Sequence, residues 1–452
     1  MAYHPSTTGD PKTIQLFDLP EISVSMKQIS FVDLSPPCTV SVERYLDWEA
    51  IRLNNGIVDL IAVPEIGGRI LQLRLGGQEY LYVNPRHTGR VYTPEENNFA
   101  AGWKNYGGSK VWPAPQGWSS GAEWPGPPDP ILDGGKYSWE ILETDAGGAV
   151  LALTSPPDEY TGLTLQRQVH LSTGTATIQI RHRMYNSSSR PVRWALWQVT
   201  QQSAGPAFEV FAPAKIYQQI LGDDKFEAVQ NDHHSGLFRL RYVNRVAKLA
   251  IKAEEGWICS LDASRGLLLA ERFRVFPGAA YVDNAPLAVW VNGAGSYTVH
   301  SERIHTLEDP NGCDAYVETE VFSPLVDLEP GGEYLFDTFW HCAQIEANSV
   351  ERVNQSVAIG RDLSIERRDN SLHVTASFGV FQAGNLEIVG LSKNGRVVAV
   401  KPLGTVTPLL PCQLDICIPV EEDLSRLNLR IRNKSGELLG NISTAVLNTE
   451  TN

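Results

Sequence analysis

The sequence predicts an all-β chain, a large β-supersandwich followed by a small β-sandwich. Three observations predict it. Short segments alternate apolar and polar residues with a period of two, the repeat of a half-buried strand. These segments recur through most of the chain with turn residues between them, which fits sandwiches rather than alternating α/β folds. The 452 residues include 38 glycines and 28 prolines, the punctuation that many tight turns require.

Each element follows from its local pattern. Residues 1–40 read as an irregular leader. Strands begin at Val40 to Tyr45. Ile57 to Val63 is short and β-branched, and Pro64 and Gly67-Gly68 interrupt it. Arg69 to Leu75 carries apolar residues at 71, 73 and 75, so it is a half-buried strand. Gly76-Gly77 turns the chain, and Tyr80 to Val83 returns it to the sheet. Residues 84–136 are rich in Gly, Pro and Trp and lack periodicity, which predicts a long irregular insertion over one face of the sheet. Further strands are expected at Ala149 to Leu153, Thr164 to Leu171, Ala176 to Tyr185, Val192 to Gln198 and Gly236 to Tyr242. Ala247 to Ala253, Leu267 to Phe273, Tyr297 to His305, Val317 to Phe322 and Glu333 to Trp340 complete the large unit, 41–345. Ala343 to Ser356 reads as a short helix or linker. Residues 346–452 keep the alternation but nearly lose the aromatics, and at least five strands there point to an accessory immunoglobulin-like sandwich.

The formal net charge of −14 argues against a nucleic-acid partner, which needs a basic surface, and against an anionic membrane surface. No apolar run is long enough to span a bilayer. The first residues lack a basic start followed by an apolar stretch, so the chain as written is expected to be soluble and cytoplasmic. Six dispersed cysteines form no Cys-x-x-Cys pair and are expected to be free thiols. Asp232-His233-His234 offers adjacent loop residues without a third ligand, so no metal is expected, and no cofactor is indicated. The oligomeric state is not legible.

Ala101 to Trp124 holds four of the 11 tryptophans, Trp103, Trp112, Trp118 and Trp124, interleaved with Lys104, Asn105, Lys110 and Gln116. Sugars present one apolar face and a rim of hydroxyls. Flat aromatic rings with fixed polar groups beside them therefore suit a carbohydrate ligand; the competing role is packing of the loop onto the sheet. On the strand from Trp194 to Gln202, Trp194, Leu196, Gln198 and Thr200 share one face, expected to be the concave binding face. Ala195, Trp197 and Val199 share the other, expected to be core. Core packing of both tryptophans is the alternative. Glu318 and Glu320 share a face about 7 Å apart, close enough for one to raise the other's pKa; a solvent-facing strand edge is the competing role.

These segments resemble a known family. Val63-Pro-Glu-Ile-Gly-Gly-Arg-Ile-Leu resembles the opening Gly-Gly-x-Ile strand of relatives of aldose 1-epimerase, the galactose mutarotases. Asn186-Ser-Ser-Ser-Arg-Pro-Val resembles their Asn-x-(Ser/Thr)-x-x-Pro-Val turn, and Val317-Glu-Thr-Glu-Val-Phe-Ser-Pro with Leu328-Glu-Pro-Gly-Gly-Glu-Tyr resembles their C-terminal motif. Asn105-Tyr-Gly-Gly-Ser-Lys-Val-Trp-Pro-Ala-Pro-Gln resembles the domain-of-unknown-function 4380 proteins. The resemblance implies a galactose-mutarotase-like supersandwich that binds a sugar, with Glu318 as general base. The family's two histidines have no counterpart near Trp197-Gln198 or Trp112 to Gln116, which leaves Lys110 as the candidate acid. The expected catalytic set is Glu318, Glu320 and Lys110. The expected binding set is Arg69, Trp112, Gln116, Trp118, Trp194 and Gln198. A sugar epimerase, a non-catalytic sugar-binding or regulatory module, and lyase or hydrolase chemistry all remain open on these residues.

Overall fold

The computed structural model describes residues 36–117, 120–145, 147–222, 225–232, 236–299, 303–307 and 315–447. Among them the regular structure is strand, with two short 3-10 turns and no α-helix. No helix there is long and apolar enough to cross a membrane.

Alternation does most of the folding work. In Leu163–Ser172, residues Leu163, Leu165, Arg167, Val169 and Leu171 are buried and those between them are half-buried. In Thr177–Asn186, Ile178, Ile180, His182, Met184 and Asn186 are buried in the same way. The period of two turns one side of each strand toward the opposing sheet. Each fully buried Leu, Ile or Val there contributes about 1.5–3 kcal/mol.

Ten strands form one antiparallel sheet, with Leu267–Phe273, Glu333–Gln344 and Thr177–Asn186 near its middle. Twelve form the other, running from Thr39–Tyr45 at one edge to Ile216–Leu221 at the opposite edge. Its middle is Arg69–Leu75, Ser109–Ala114, Val192–Ser203, Tyr316–Phe322, Leu287–Val291 and Ala247–Lys252, in that spatial order. The sheets pack face to face. Leu60, Ile70 and Leu73 of the larger sheet meet Val169, Ile178 and Trp340 of the other. This is the all-β supersandwich that the strand pattern predicts.

Ser109–Ala114 differs from expectation, because it is a central strand inside the stretch expected to be irregular. All six residues are buried, so no alternation marks it, and Pro113 disguises it further. Gly107 makes the strand's entry possible. Its φ is +93°, and a Cβ there would lie 2.1 Å from the Tyr82 carbonyl oxygen. The linker at 343–356 forms no helix; Glu333–Gln344 remains strand, and Arg352–Val353 pairs with Val357–Arg368.

Two four-stranded sheets follow, built from residues 352–446 around Val374, Phe378, Ile388, Leu414 and Leu429. This small sandwich packs on the outer face of the ten-stranded sheet. Ala358 and Phe381 join Phe211, Trp257, Cys259 and Leu268 there, and the Ala176 N–H donates to the Phe381 carbonyl at 2.8 Å.

Candidate functional site

The two sides of the larger sheet are told apart by their partners. Arg167, reaching from the ten-stranded sheet, donates to the Ser109 carbonyl at 2.9 Å and to Ser109 Oγ at 3.1 Å. Ser109 therefore faces inward, and Lys110 and Trp112 face outward. The register pairs Trp112 with Trp197, Lys110 with Val199, Gln201 with Glu318, and Val199 with Glu320. One outward row thus gathers Lys110, Trp112, Trp197, Gln201, Glu318 and Glu320.

Two acid–ammonium pairs dominate this row. Lys110 Nζ lies 3.4 Å from Glu318 Oε1, and Gln201 Nε2 donates to the same oxygen at 2.5 Å. Lys248 Nζ lies 2.8 Å from Glu320 Oε2, and Trp197 Nε1 donates to that oxygen at 2.8 Å. The aromatic rings form the bed beneath the charges. Trp112 packs on Trp103, Trp124 and Trp197 with ring centroids 5.2–6.1 Å apart. Lys110 Nζ sits 4.6 Å from the Trp112 ring centre and 5.1 Å from that of Trp103, while Lys248 Nζ sits 4.2 Å from that of Trp197.

Burial tunes the groups. Lys110 is 1% exposed and its ammonium is pushed down to about 8 by desolvation; Glu318 opposes the shift and Arg69 adds to it. Burial also raises Glu320 above the usual carboxylate range, with Lys248 opposing and Glu318 reinforcing. Glu318 is the more open acid, at 7% against 0% for Glu320. The half-buried Trp290 stands directly across the register from Glu318, with Tyr297 edge-on to its ring at 5.1 Å. Burial, reinforced by Glu318, raises the Tyr297 hydroxyl.

Four buried polar atoms on this side have no hydrogen-bond partner among the described residues: the donors Arg69 Nε and Trp112 Nε1, and the acceptors Gln201 Oε1 and Glu320 Oε1. Buried polar atoms are seldom left so. A ligand that both donates and accepts would satisfy such a set, and hydroxyl groups do both.

The structure brings Glu318, Glu320, Lys110 and Trp112 together, but it alters or removes the parts expected of others. Arg69, fully buried, pairs with Asp133 at 2.5 Å rather than with Glu318. Asp133 also accepts from Trp103 Nε1 at 2.7 Å, so it ties the long loop to the sheet. Gly67 permits this close approach, since a Cβ there would lie 2.0 Å from the Asp133 carbonyl oxygen. Trp112 is not an exposed platform. It lies under the charged row, 3% exposed. Gln116 is exposed beyond the end of its strand, against Gly126. Trp118 lies outside the described residues, as do His233 and His234.

Gln198 and Trp194 lie on the opposite face from the one expected to bind. Gln198 Nε2 donates to Glu271 at 2.5 Å, and its Oε1 meets His182 and Thr338, all between the sheets. Trp194 Nε1 donates to the Thr161 carbonyl at 3.0 Å. The physical reason is that both faces are buried from Trp194 to Gln202, so the stretch between has no alternation to read; only Arg193 and Ser203 at the strand's ends, on the parity of Trp197 and Gln201, are exposed. His182, neutral because burial pushes it down to about 3, also lies on the inner side.

Sequence reasoning missed Gln201, Lys248, Trp197, Asp133 and Trp290. The parity of Gln201 with Trp197 was visible, and a correct assignment of faces would have found both. Nothing in the sequence links Lys248 to Glu320, because only the sheet order brings their strands within reach.

A family model described as a domain of unknown function, DUF4380, matches residues 48–283, more than half of the chain. No curated protein matches it. Several solved structures are similar at low identity. A TPR-domain containing protein from Parabacteroides distasonis is 14% identical with a TM-score of 0.45, covering 65% of this chain; the chain spans about half of that protein, 47%. A galactose mutarotase-like protein from Clostridium acetobutylicum is 11% identical with a TM-score of 0.44, over 68% of this chain and 99% of that one. Another galactose mutarotase-like protein, from Lactobacillus casei, is 10% identical with a TM-score of 0.43, over 65% and 99%.

Proposed function

The chain belongs to the DUF4380 family, and on that premise we propose that the outward row of its larger sheet binds a carbohydrate, with Glu318 as the group that acts on a sugar hydroxyl. One observation carries this reading. Glu318 is a buried carboxylate, still 7% exposed, fixed by Lys110 and Gln201 across the register from the half-buried Trp290, and buried donors and acceptors without partners lie on the same side of the sheet. The sequence motif around Glu318 supports the same choice. A carboxylate so held can take a hydroxyl proton, and the neighbouring ammonium would stabilise the charge that forms. Lys110, with its pKa lowered to about 8, has the proton affinity suited to an acid near neutral pH.

A specific observation favours a second reading, a sugar-binding module without turnover. The Lys110 ammonium lies against the Trp103 and Trp112 rings and is almost wholly buried, so Glu318 is the more accessible partner of the pair.

Calorimetric titration with neutral aldoses tests binding, and exchange between anomers followed by NMR tests turnover. Glu318→Gln keeps the shape and removes the base. If the chain turns sugars over, this variant should lose about 100-fold or more of the rate, the usual size of an acid–base contribution. Binding without exchange in the unmodified protein would select the module. No binding of any aldose would overturn both.

A further inference from the structure

The outer face of the ten-stranded sheet holds a separate concavity of about 390 Å³. Arg272, Arg274, Phe276, Leu335, Asp337 and Phe339 contribute to its wall. Its charges are unbalanced. Asp337 is spent on Arg181, which meets it in a fork at 2.8 and 3.0 Å. Arg274 lies over the Phe276 ring at 4.9 Å and has no carboxylate partner among the described residues. Arg272 is half-buried and likewise forms no hydrogen bond or ion pair among them. Burial lowers its pKa, and Glu255, an acid that acts on it at a distance, opposes the shift without forming an ion pair.

The register extends the site. Trp257 and Phe339 stand directly across from Arg272 on either side, and His341 lies two residues beyond Phe339 on the same face. Trp257 Nε1 and His341 Nε2 are both buried without a hydrogen-bond partner. The other imidazole nitrogen of His341 is engaged by Thr177 Oγ1 at 2.8 Å. When that hydroxyl donates, Nε2 carries the proton and is a donor. Burial and the nearby Arg272 push His341 down to about 3, which keeps it neutral.

An unpaired guanidinium with unspent N–H donors beside it calls for an anion, and the fork of an arginine fits a carboxylate in two hydrogen bonds. The adjacent rim supplies flat and apolar surface, the Phe339 ring and Leu335, which is 48% exposed. We propose that this face carries a second ligand site, centred on Arg272, for a small carboxylate with a flat apolar side. The positive hollow on a chain of net charge −14 provides the complementarity. The site lies on the sheet opposite to Glu318 and stands or falls apart from the sugar-site reading.

Titration of the full chain with benzoate, D-glucuronate and benzyl alcohol, followed by ligand-observed NMR, tests it. Benzoate or glucuronate should bind and benzyl alcohol should not; which acid binds more tightly separates an aromatic acid from an acidic sugar. Arg272→Gln should weaken the bound acid at least about 10-fold, and Trp257→Phe should weaken it less, both with melting curves that show the fold intact. Arg272→Lys keeps the charge without the fork and should recover only part of the affinity. Binding of neither acid, binding unchanged by Arg272→Gln, or binding abolished by Glu318→Gln would overturn the proposal.

Discussion

The two sides of the twelve-stranded sheet handle buried carboxylates in opposite ways. On the inner side Glu271 reaches across from the other sheet and meets only neutral donors: Gln198 at 2.5 Å, Thr200 at 3.0 Å, Trp340 at 3.2 Å, and Thr319. On the outer side Glu318 and Glu320 each meet an ammonium. Neutral donors do not offset the loss of water around a charge, so Glu271 is pushed up to about 7. Both Glu271 oxygens have partners, whereas Glu320 Oε1 has none. The Glu271 carboxylate is therefore held by neutral groups alone, although His182 Nδ1 and Arg167 Nε on that side are buried without a partner; each outer acid has an ammonium beside it, and Glu320, also raised by burial, keeps one oxygen unspent. The charge of the neighbours, rather than completeness, separates the two sets of acids.

The largest effect should come from stripping a charge partner on the outer side. Lys248→Ala leaves Glu320, which is wholly buried, without its cation. Such a change costs about 3–5 kcal/mol, readable in urea unfolding. Adding Glu320→Gln to it should return most of that loss, because the remaining group is then neutral. A loss below about 1 kcal/mol would mean that the outer acids do not depend on their lysines, and the contrast between the faces would fail.

The inner side should show the next effect, as a pH dependence. The Glu271 pKa is raised in the folded protein from an ordinary 4.5 to about 7. A group of this kind stabilises the fold fully at pH below the unfolded value and loses that contribution as pH rises through the folded value. Stability should therefore fall between about pH 4.5 and 7, by an amount on the order of 3 kcal/mol from this group. Glu271→Gln should flatten that part of the profile, so its unfolding free energy relative to the unmodified protein improves from pH 5 to pH 8. Parallel profiles for the two proteins would show that Glu271 is ionised in the fold after all.

Much of the fold was legible because alternation is a local signal. Leu163–Ser172 and Thr177–Asn186 announce themselves, even with Arg167 and His182 standing at inward positions. Ser109–Ala114 did not, because a strand buried on both faces has no alternation to read. The candidate site was partly legible for the same reason. Glu318 and Glu320 share a face by parity alone, and the motif around them pointed to that strand. Which face of Val192–Ser203 looks outward depends on residues more than a hundred positions away, such as Glu320 and Thr338, so Gln198 and Gln201 were exchanged.

That exchange supplies the finest test of the comparison, since Gln198 and Gln201 lie three residues apart on one strand and face opposite ways. Gln198→Leu removes a donor to Glu271 and an acceptor for Thr338 and His182. Leaving buried partners unsatisfied should cost about 1–3 kcal/mol of stability. Sugar affinity should hardly change, because none of those partners is on the outer side. Gln201→Leu removes one donor to Glu318, but Lys110 remains beside that carboxylate, and the Gln201 acceptor atom had no partner to lose. Its stability cost should be smaller, about 1 kcal/mol. Its effect on aldose binding should be the larger of the two, about 10-fold, the equivalent of one hydrogen bond of about 1.4 kcal/mol. Calorimetry on both variants, with urea unfolding alongside, separates the two quantities. The comparison survives only if the variants cross over, with Gln198→Leu worse in stability and Gln201→Leu worse in binding. If both variants lose only stability, the outer row is scaffold as well, and its unpaired atoms bind no sugar.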